Sequence, residues 1–325
     1  MSGVGLRLLV RAPDELTELL AATPVLHAAA SDPRFRGTRL LVPRGLAPFL
    51  EDAPWQDRIV TFADASEERV RYREIEPAAA LLLATSFEAA RIAWRARVPV
   101  RAGVAGARRR WLLTHACLPP VRRGRPAPVP TANLLRDAAG LVGLHPASMA
   151  PRLWVRRELR EVLAAELERH GLGGGAPLLV CAPGASPWPA ERFAAVAAHL
   201  HSSLGWPTVV VGRGAGDSRA QAVIQACRHP VVELPLDPLD PGRLKALVRG
   251  ARLVLAGDPG VSWVAAAYGA PCVAVTDPAA AQAAPAALEH ARRLPGESWR
   301  GPGELSAAEA IEACEGLLAS SEGVS

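Results

Sequence analysis

The sequence predicts an α/β protein built as two successive parallel-sheet domains. Three observations carry this. Short apolar runs that are mostly continuous, not alternating, recur between helical patterns in both halves, as strands covered on both faces do. A glycine-rich segment, Leu172-Gly-Gly-Gly-Ala-Pro177, follows a charged helix pattern (Arg152–His170) and precedes an apolar run, which makes it the natural hinge. A length of 325 residues suits two domains of ordinary size, each able to bury its own core.

In the first half, Leu6–Val10, Arg39–Val42, Ile59–Phe62, Ala79–Ala84 and Val98–Val100 read as strands. Helical patterns over Asp14–Ala30, Ser86–Arg95 and Thr131–Val142 alternate with them. The second half repeats the scheme with strands at Leu178–Ala182, Thr208–Val211, Val231–Leu234, Leu253–Ala256 and Cys272–Val275. Its helices lie near Pro189–Leu204, Asp217–Cys227 and Gly242–Val248. Two Rossmann-like domains, 1–172 and 173–325, are therefore expected, with a ligand in the cleft between them. The C-terminal helix is expected to be available to pack back on the N-terminal domain.

The segment Leu253–Val275 is the most informative. A buried strand turns through Gly257-Asp-Pro-Gly260 into a small-residue helix, Val261–Tyr268, then stops at Gly269-Ala-Pro271 before a second strand. Such a turn presents free N–H groups and a positive dipole end at the strand's C-terminal edge, where α/β folds hold phosphates. The same pattern also fits an ordinary crossover with no ligand.

Composition excludes several classes. Half of the residues are hydrophobic, so the chain folds. No apolar run approaches the roughly 20 residues of a membrane span. The run Leu6–Val10 is too short for a signal peptide, and an acidic segment follows it, so none is expected; the scattered cysteines make a reducing cytoplasm the expected compartment. Five cysteines, Cys117, Cys181, Cys227, Cys272 and Cys314, lack CxxC spacing and read as small apolar fillers, with neither zinc nor disulfides expected.

Charge is uneven within the net +5. Residues 1–150 hold 21 arginines against 14 acids, and residues 91–125 hold ten arginines and no acid. An anionic partner is expected: a phosphorylated substrate, an anionic membrane surface or, least of all with aromatics at 5%, nucleic acid. Compositional bias toward Arg accounts for the choice of cation, since Lys245 is the single lysine, but not for the missing acids.

Three blocks in order resemble glycosyltransferase family 9, the ADP-heptose:lipopolysaccharide heptosyltransferases. They are Leu8-Leu-Val-Arg with Leu20-Ala-Ala-Thr-Pro-Val-Leu26, then Cys181-Ala-Pro-Gly-Ala-Ser-Pro-Trp-Pro-Ala-Glu-Arg-Phe-Ala194, then Gly257–Val275 running on to Thr276-Asp-Pro278. Thr85–Ala90 and Val98–Gly103 are weaker echoes, and the similarity spans roughly residues 6–280. The resemblance implies a GT-B fold, an acceptor-binding N-terminal domain and a nucleotide-sugar-binding C-terminal domain. It implies inverting transfer with neither metal nor cofactor, from a donor such as ADP-heptose to an anionic lipid-linked acceptor of lipopolysaccharide-core type. A peripheral contact with the inner face of the inner membrane goes with that acceptor.

In such a transfer an acceptor hydroxyl attacks the anomeric carbon while a nucleoside diphosphate leaves. A carboxylate must take the hydroxyl proton. Without a metal, N–H groups, a helix N-terminus or a cation must hold the departing charge. Counting back from Thr23-Pro24, the family's catalytic Asp falls on Glu18, with Asp14 and Glu15 as nearby alternatives. All three also fit a solvated helix start. The implied donor residues are Gly184, Ala185, Ser186, Asp217, Asp258, Pro259 and Gly260, although Asp217 also fits a plain N-cap. Ser86, Arg101, Arg108, Arg109 and Arg110 are the acceptor-binding candidates.

The departures from the family concern the diphosphate. Its Lys is Ser186 here, in a shortened loop; its Asn is Gly257, its Ser/Thr is Pro259 and its His is Trp263. Pro259 removes a hydroxyl and an N–H from the turn. Two functions stay open: an active heptosyltransferase-like enzyme, or a GT-B pseudoenzyme that binds a sugar nucleotide or a partner protein without turnover.

Overall fold

The computed structural model describes residues 7–35, 37–106, 108–122, 125–126, 131–172, 179–184, 186–237, 241–275, 291–293 and 305–322. It divides into two compact units, Met1–Arg152 and Leu153–Ser325. The division falls before the charged helix, not at the glycine-rich segment, of which residues 173–177 lie outside the described residues.

The first unit runs β1 (Leu8–Arg11), α1 (Leu16–Ser31), β2 (Arg39–Pro43), β3 (Ile59–Phe62), α2 (Ala65–Ile75), β4 (Ala79–Leu82), α3 (Phe87–Arg95), β5 (Val100–Val104), β6 (His115–Cys117), a short antiparallel hairpin β7 (Val121–Arg122) and β8 (Arg125–Pro126), then α4 (Thr131–Gly140). Its six strands are all parallel, in the order β3-β2-β1-β4-β5-β6. The chain starts at the centre, winds outward to β3 and returns to β4, so the switch in direction lies between β1 and β4. Leu8, Leu9 and Val10 are wholly buried, which is why that strand reads as a continuous apolar run. The core gathers Leu9, Leu41, Leu82, Ile92 and Leu112.

Two of the local differences from the sequence reading have a clear physical cause. Helix α2 has no apolar run to announce it, yet Asp64 caps it by accepting from the N–H groups of Ser66 and Glu67. It buries only Glu68 and Tyr72. The strand expected at Val98–Val100 starts at Val100. Arg97 turns left-handed (φ 58°) after α3, and Val98 donates its N–H back to Ala93 O, so Val98 plugs the turn.

The second unit runs α5 (Arg157–Arg169), β9 (Leu179–Ala182), α6 (Ala190–Leu204), β10 (Thr208–Arg213), α7 (Ser218–Ala226), β11 (Val231–Leu236), α8 (Gly242–Gly250), β12 (Leu253–Ala256), α9 (Pro259–Tyr268), β13 (Cys272–Ala274), β14 (Ala291–Arg293) and α10 (Ala307–Glu322). Its sheet repeats the first: β11-β10-β9-β12-β13-β14, all parallel. Helix α5 belongs here because it packs on α8, with Arg243 and Glu166 paired at 2.5 Å. The C-terminal helix α10 spends its apolar face within this unit. Ala310, Cys314 and Leu317 join the core of Phe193 and Val196, and Glu315 pairs with His199 at 2.9 Å.

Candidate functional site

In the second unit the chain reverses direction between β9 and β12, and ligands of open α/β sheets bind outside the strand C-termini at such a point. The loops leaving these two strands meet there. Gly257 donates its N–H to Ala182 O at 2.8 Å. A Cβ at Gly257 would fall 2.3 Å from Pro183 O and 2.6 Å from the Ser186 Cβ. A Cβ at Gly184, which is left-handed (φ 52°), would fall 2.6 Å from the Asp258 Cβ. Both positions therefore demand glycine. Pro183 O and the Ser186 side chain occupy the space that a side chain at position 257 would need, which is the physical reason for glycine there.

The polar groups of these loops are largely committed to the protein. Asp258 caps α9, its Oδ1 accepting from Gly260 N at 2.7 Å and Val261 N at 3.3 Å, and Pro259 occupies the first helical position without an N–H. Asp217 caps α7 in the same way, with Oδ1 accepting from Arg219 N and Ala220 N and Oδ2 accepting from Arg213 N at 2.7 Å. Burial works to raise the Asp217 carboxyl, but these three donors and the Arg213 charge outweigh it and hold it below its ordinary value. The buried Ser186 hydroxyl donates to Val275 O at 2.9 Å and accepts from Trp188 N. It fastens the loop to β13's end. Ala185 and the block Thr276–Pro278 lie outside the described residues.

One cation does stand at this point. Arg219, exposed on the first turn of α7, donates from Nη1 to Ser186 O at 2.9 Å. The sequence reading looked only for a lysine and missed it. Trp263, which replaces the family's His, is buried in the unit's interior.

At the matching edge of the first unit, buried Arg11 at the end of β1 organises the carboxylates. Its Nε donates to Glu68 at 2.9 Å, its Nη2 to Asp14 at 2.6 Å, and its guanidinium lies over the Phe62 ring at 4.4 Å. Burial works against its charge, and Glu68 and Asp14 more than offset this, so Arg11 stays cationic. Glu18 lies in the first turn of α1, half-buried, its carboxyl raised by burial and then by the charges of Glu15 and Asp14. A raised carboxyl at a sheet edge suits a general base. The Thr23-Pro24 anchor also has its cause: Thr23 is buried, its hydroxyl donates to Leu20 O and it accepts from Arg152 N at 2.9 Å. Glu68 and Tyr72 were missed because α2 shows no apolar pattern; their i,i+4 spacing is the one sequence signal that they share a face.

The arginine stripe needs correction. Arg109 is 3% exposed, not a surface cation. Its Nη1 donates to Ala84 O at 2.6 Å and Ser86 O at 3.3 Å, latching the β4–α3 loop, while Nε and Nη2 have no hydrogen-bond partner. Burial pushes its pKa down to about 10. Arg101 is half-buried and donates to Leu112 O and Val98 O. Arg108 and Arg110 are exposed, and the Ser86 hydroxyl caps α3 by accepting from Ala89 N at 3.4 Å. The side chains of Arg122 and Arg125, and Arg123 altogether, lie outside the described residues. Among the described residues no three His, Cys, Asp or Glu side chains gather as a metal-ligand set.

Comparison with known proteins agrees with this architecture. The chain is similar to the glycosyl transferase family 9 structure from Veillonella parvula, with 21% identity over 98% of this chain and 99% of that one and a TM-score of 0.82. It is similar to E. coli ADP-heptose lps heptosyltransferase II, with 19% identity over 98% and 100% and a TM-score of 0.76. It is also similar to E. coli heptosyltransferase WaaC with ADP-2-deoxy-2-fluoro heptose, with 16% identity over 96% and 99% and a TM-score of 0.68. At these identities the likeness establishes the fold, GT-B. No curated protein sequence matches the chain. The family model of glycosyltransferase family 9 (heptosyltransferase) matches residues 72–297, more than half of the sequence, and the chain belongs to that family.

Proposed function

We propose that the chain transfers a heptose-like sugar from an ADP-type nucleotide donor to an anionic lipid-linked saccharide, with inversion and without a metal ion. The observation that carries this reading is the junction at the second unit's switch point, where Gly184 and Gly257 press two loops together beside the Arg219 guanidinium. Arg219 takes the place of the lysine that this chain lacks there. Glu18 takes the acceptor hydroxyl proton as the oxygen bonds to the anomeric carbon. The bond from that carbon to the diphosphate oxygen breaks, and its electron pair leaves with the diphosphate, stabilised by Arg219. Arg11 fixes the Asp14 carboxylate, whose charge helps to keep the Glu18 carboxyl raised. Incubation with ADP-heptose and a lipid A–Kdo acceptor, read by mass spectrometry of the product, tests the reading. Absence of both product and ADP binding at millimolar concentration overturns it.

A second reading has its own support. Asp258 already occupies the N–H groups of Gly260 and Val261, and Pro259 offers none, so the helix end that would receive a diphosphate is self-capped. A protein that binds the nucleotide without turnover fits this geometry. ADP binding by calorimetry with no product on any nucleotide-heptose selects it.

A further inference from the structure

Two imidazole rings of the second unit lie face to face. His201 is in the last turn of α6, and His229 stands in the turn between α7 and β11. Their ring centroids are 4.6 Å apart and their planes differ by 15°. Helices α6 and α7 run back from the strand C-termini, so the pair sits at the N-terminal edge of the sheet, opposite the Gly184–Gly257 junction. Two connections meet there. Trp206 in the α6–β10 loop, and Cys227 and Val231 on either side of His229, all pack against the unit's core.

The hydrogen bonds around the rings suit neutral imidazoles. His201 Nδ1 lies 3.2 Å from Trp206 O, so that nitrogen carries the hydrogen and donates it. His229 Nε2 lies 3.4 Å from the Thr208 hydroxyl at the start of β10. His229 Nδ1 is buried and has no hydrogen-bond partner among the described residues. An imidazolium carries hydrogen on both nitrogens, so a proton on Nδ1 would be sealed from water without an acceptor. The neutral ring avoids this by keeping its hydrogen on Nε2, where the Thr208 hydroxyl accepts it.

Among the described residues no carboxylate pairs with either ring. Glu315 of α10 pairs with His199, two residues from His201 and hence on another side of α6. Glu233 of β11 accepts from Gln221 of α7 at 2.7 Å. The His229 turn itself holds Cys227, whose thiol burial pushes up, and exposed Arg228, a further positive charge. Burial of the ring and then the His201 charge hold His229 below the ordinary histidine value.

We infer that the His201–His229 stack is an acid-sensitive clasp, which ties the end of α6 to the α7–β11 turn while the rings are neutral and lets them part once both are charged. Two like charges repel across a 4.6 Å stack, and a half-buried site leaves little water to screen them. A histidine that folding holds neutral contributes stability that is complete above the ordinary histidine pKa and is lost as pH falls from there through the lowered value. The inference does not rest on the transferase reading, because it is measured with neither nucleotide nor acceptor.

Proton NMR of the imidazole rings of the full chain, assigned with H201F and H229F, and thermal melts from about pH 8 to about pH 5 test it. His229 is expected to titrate below about 6.5 in wild type and to rise in H201F, which keeps a ring in the stack and removes the charge. The wild-type melting temperature is expected to fall roughly 2–4 °C further than that of H229F over this range. His27, held low by burial and then by Arg152, acts equally in both and cancels. Should H229F fail to fold, H201F is expected to flatten the profile in part, and the wild-type titration stands by itself. The inference is overturned by a His229 that titrates at or above the ordinary value. Parallel melting profiles for wild type and a folded H229F also overturn it.

Discussion

Arg219 Nη1 lies 2.9 Å from the carbonyl oxygen of Ser186, across a sequence separation of 33 residues. That bond sets a cation against the loop from which the family's lysine is missing. Truncating it to Ala is expected to weaken ADP binding by roughly tenfold or more, the worth of a charge-assisted contact of about 1.5–3 kcal/mol. R219K is expected to recover part of it, because Lys keeps the charge without the planar fork. Calorimetry with ADP reads both, and unchanged affinity in R219A removes Arg219 from the donor site.

Gly257→Asn restores the family's residue but puts a Cβ within 2.3 Å of Pro183 O, a backbone atom that cannot swing aside. Destabilisation of about 1–3 kcal/mol is expected from such overpacking. Urea denaturation measures it. A variant as stable as wild type with tighter ADP binding would show that the loop opens readily.

For Glu18 the prediction has two parts. Glu18→Gln keeps the shape and removes the base, so turnover is expected to fall by roughly 10²–10⁴ with donor affinity within a few-fold. The carboxyl is raised in the folded chain by burial and by Glu15 and Asp14. Its contribution to stability is therefore full below the ordinary glutamate pKa and is lost as pH rises through the raised value. Glu18→Gln should thus melt higher than wild type at neutral pH, with the gap closing in acid. Thermal melts across pH check the sign, and a lower melting temperature at neutral pH contradicts it.

Arg109 and its neighbours should separate cleanly. Arg108→Ser and Arg110→Ser change exposed side chains and are expected to shift stability by no more than about 0.5 kcal/mol. Arg109→Ser removes the donors to Ala84 O and Ser86 O and empties a buried volume, at a cost of about 1–3 kcal/mol. Chemical denaturation of the three single variants distinguishes them, and three equal curves would return Arg109 to the surface.

What the sequence alone determined here is whatever depends on neighbours along the chain. The continuous apolar runs named nearly every central strand, because a parallel strand covered on both faces leaves no polar alternation. Leu253–Ala256 and Ile59–Phe62 have the expected bounds. The turns at Asp217 and Asp258 were legible because a cap bonds to N–H groups two and three residues ahead. The tertiary structure decided everything that crosses between elements. It set α2 over the sheet so that Glu68 meets Arg11 at a separation of 57 residues. It buried Arg109 among nine other arginines of the same stretch, a distinction that charge counting cannot make. It also closed the Gly184 and Gly257 loops on each other, and brought Arg219 to Ser186. A residue's type states what it can bond to, while burial and distance are fixed only once the sheets close, so the scaffold was readable in advance and the committed state of its polar groups was not.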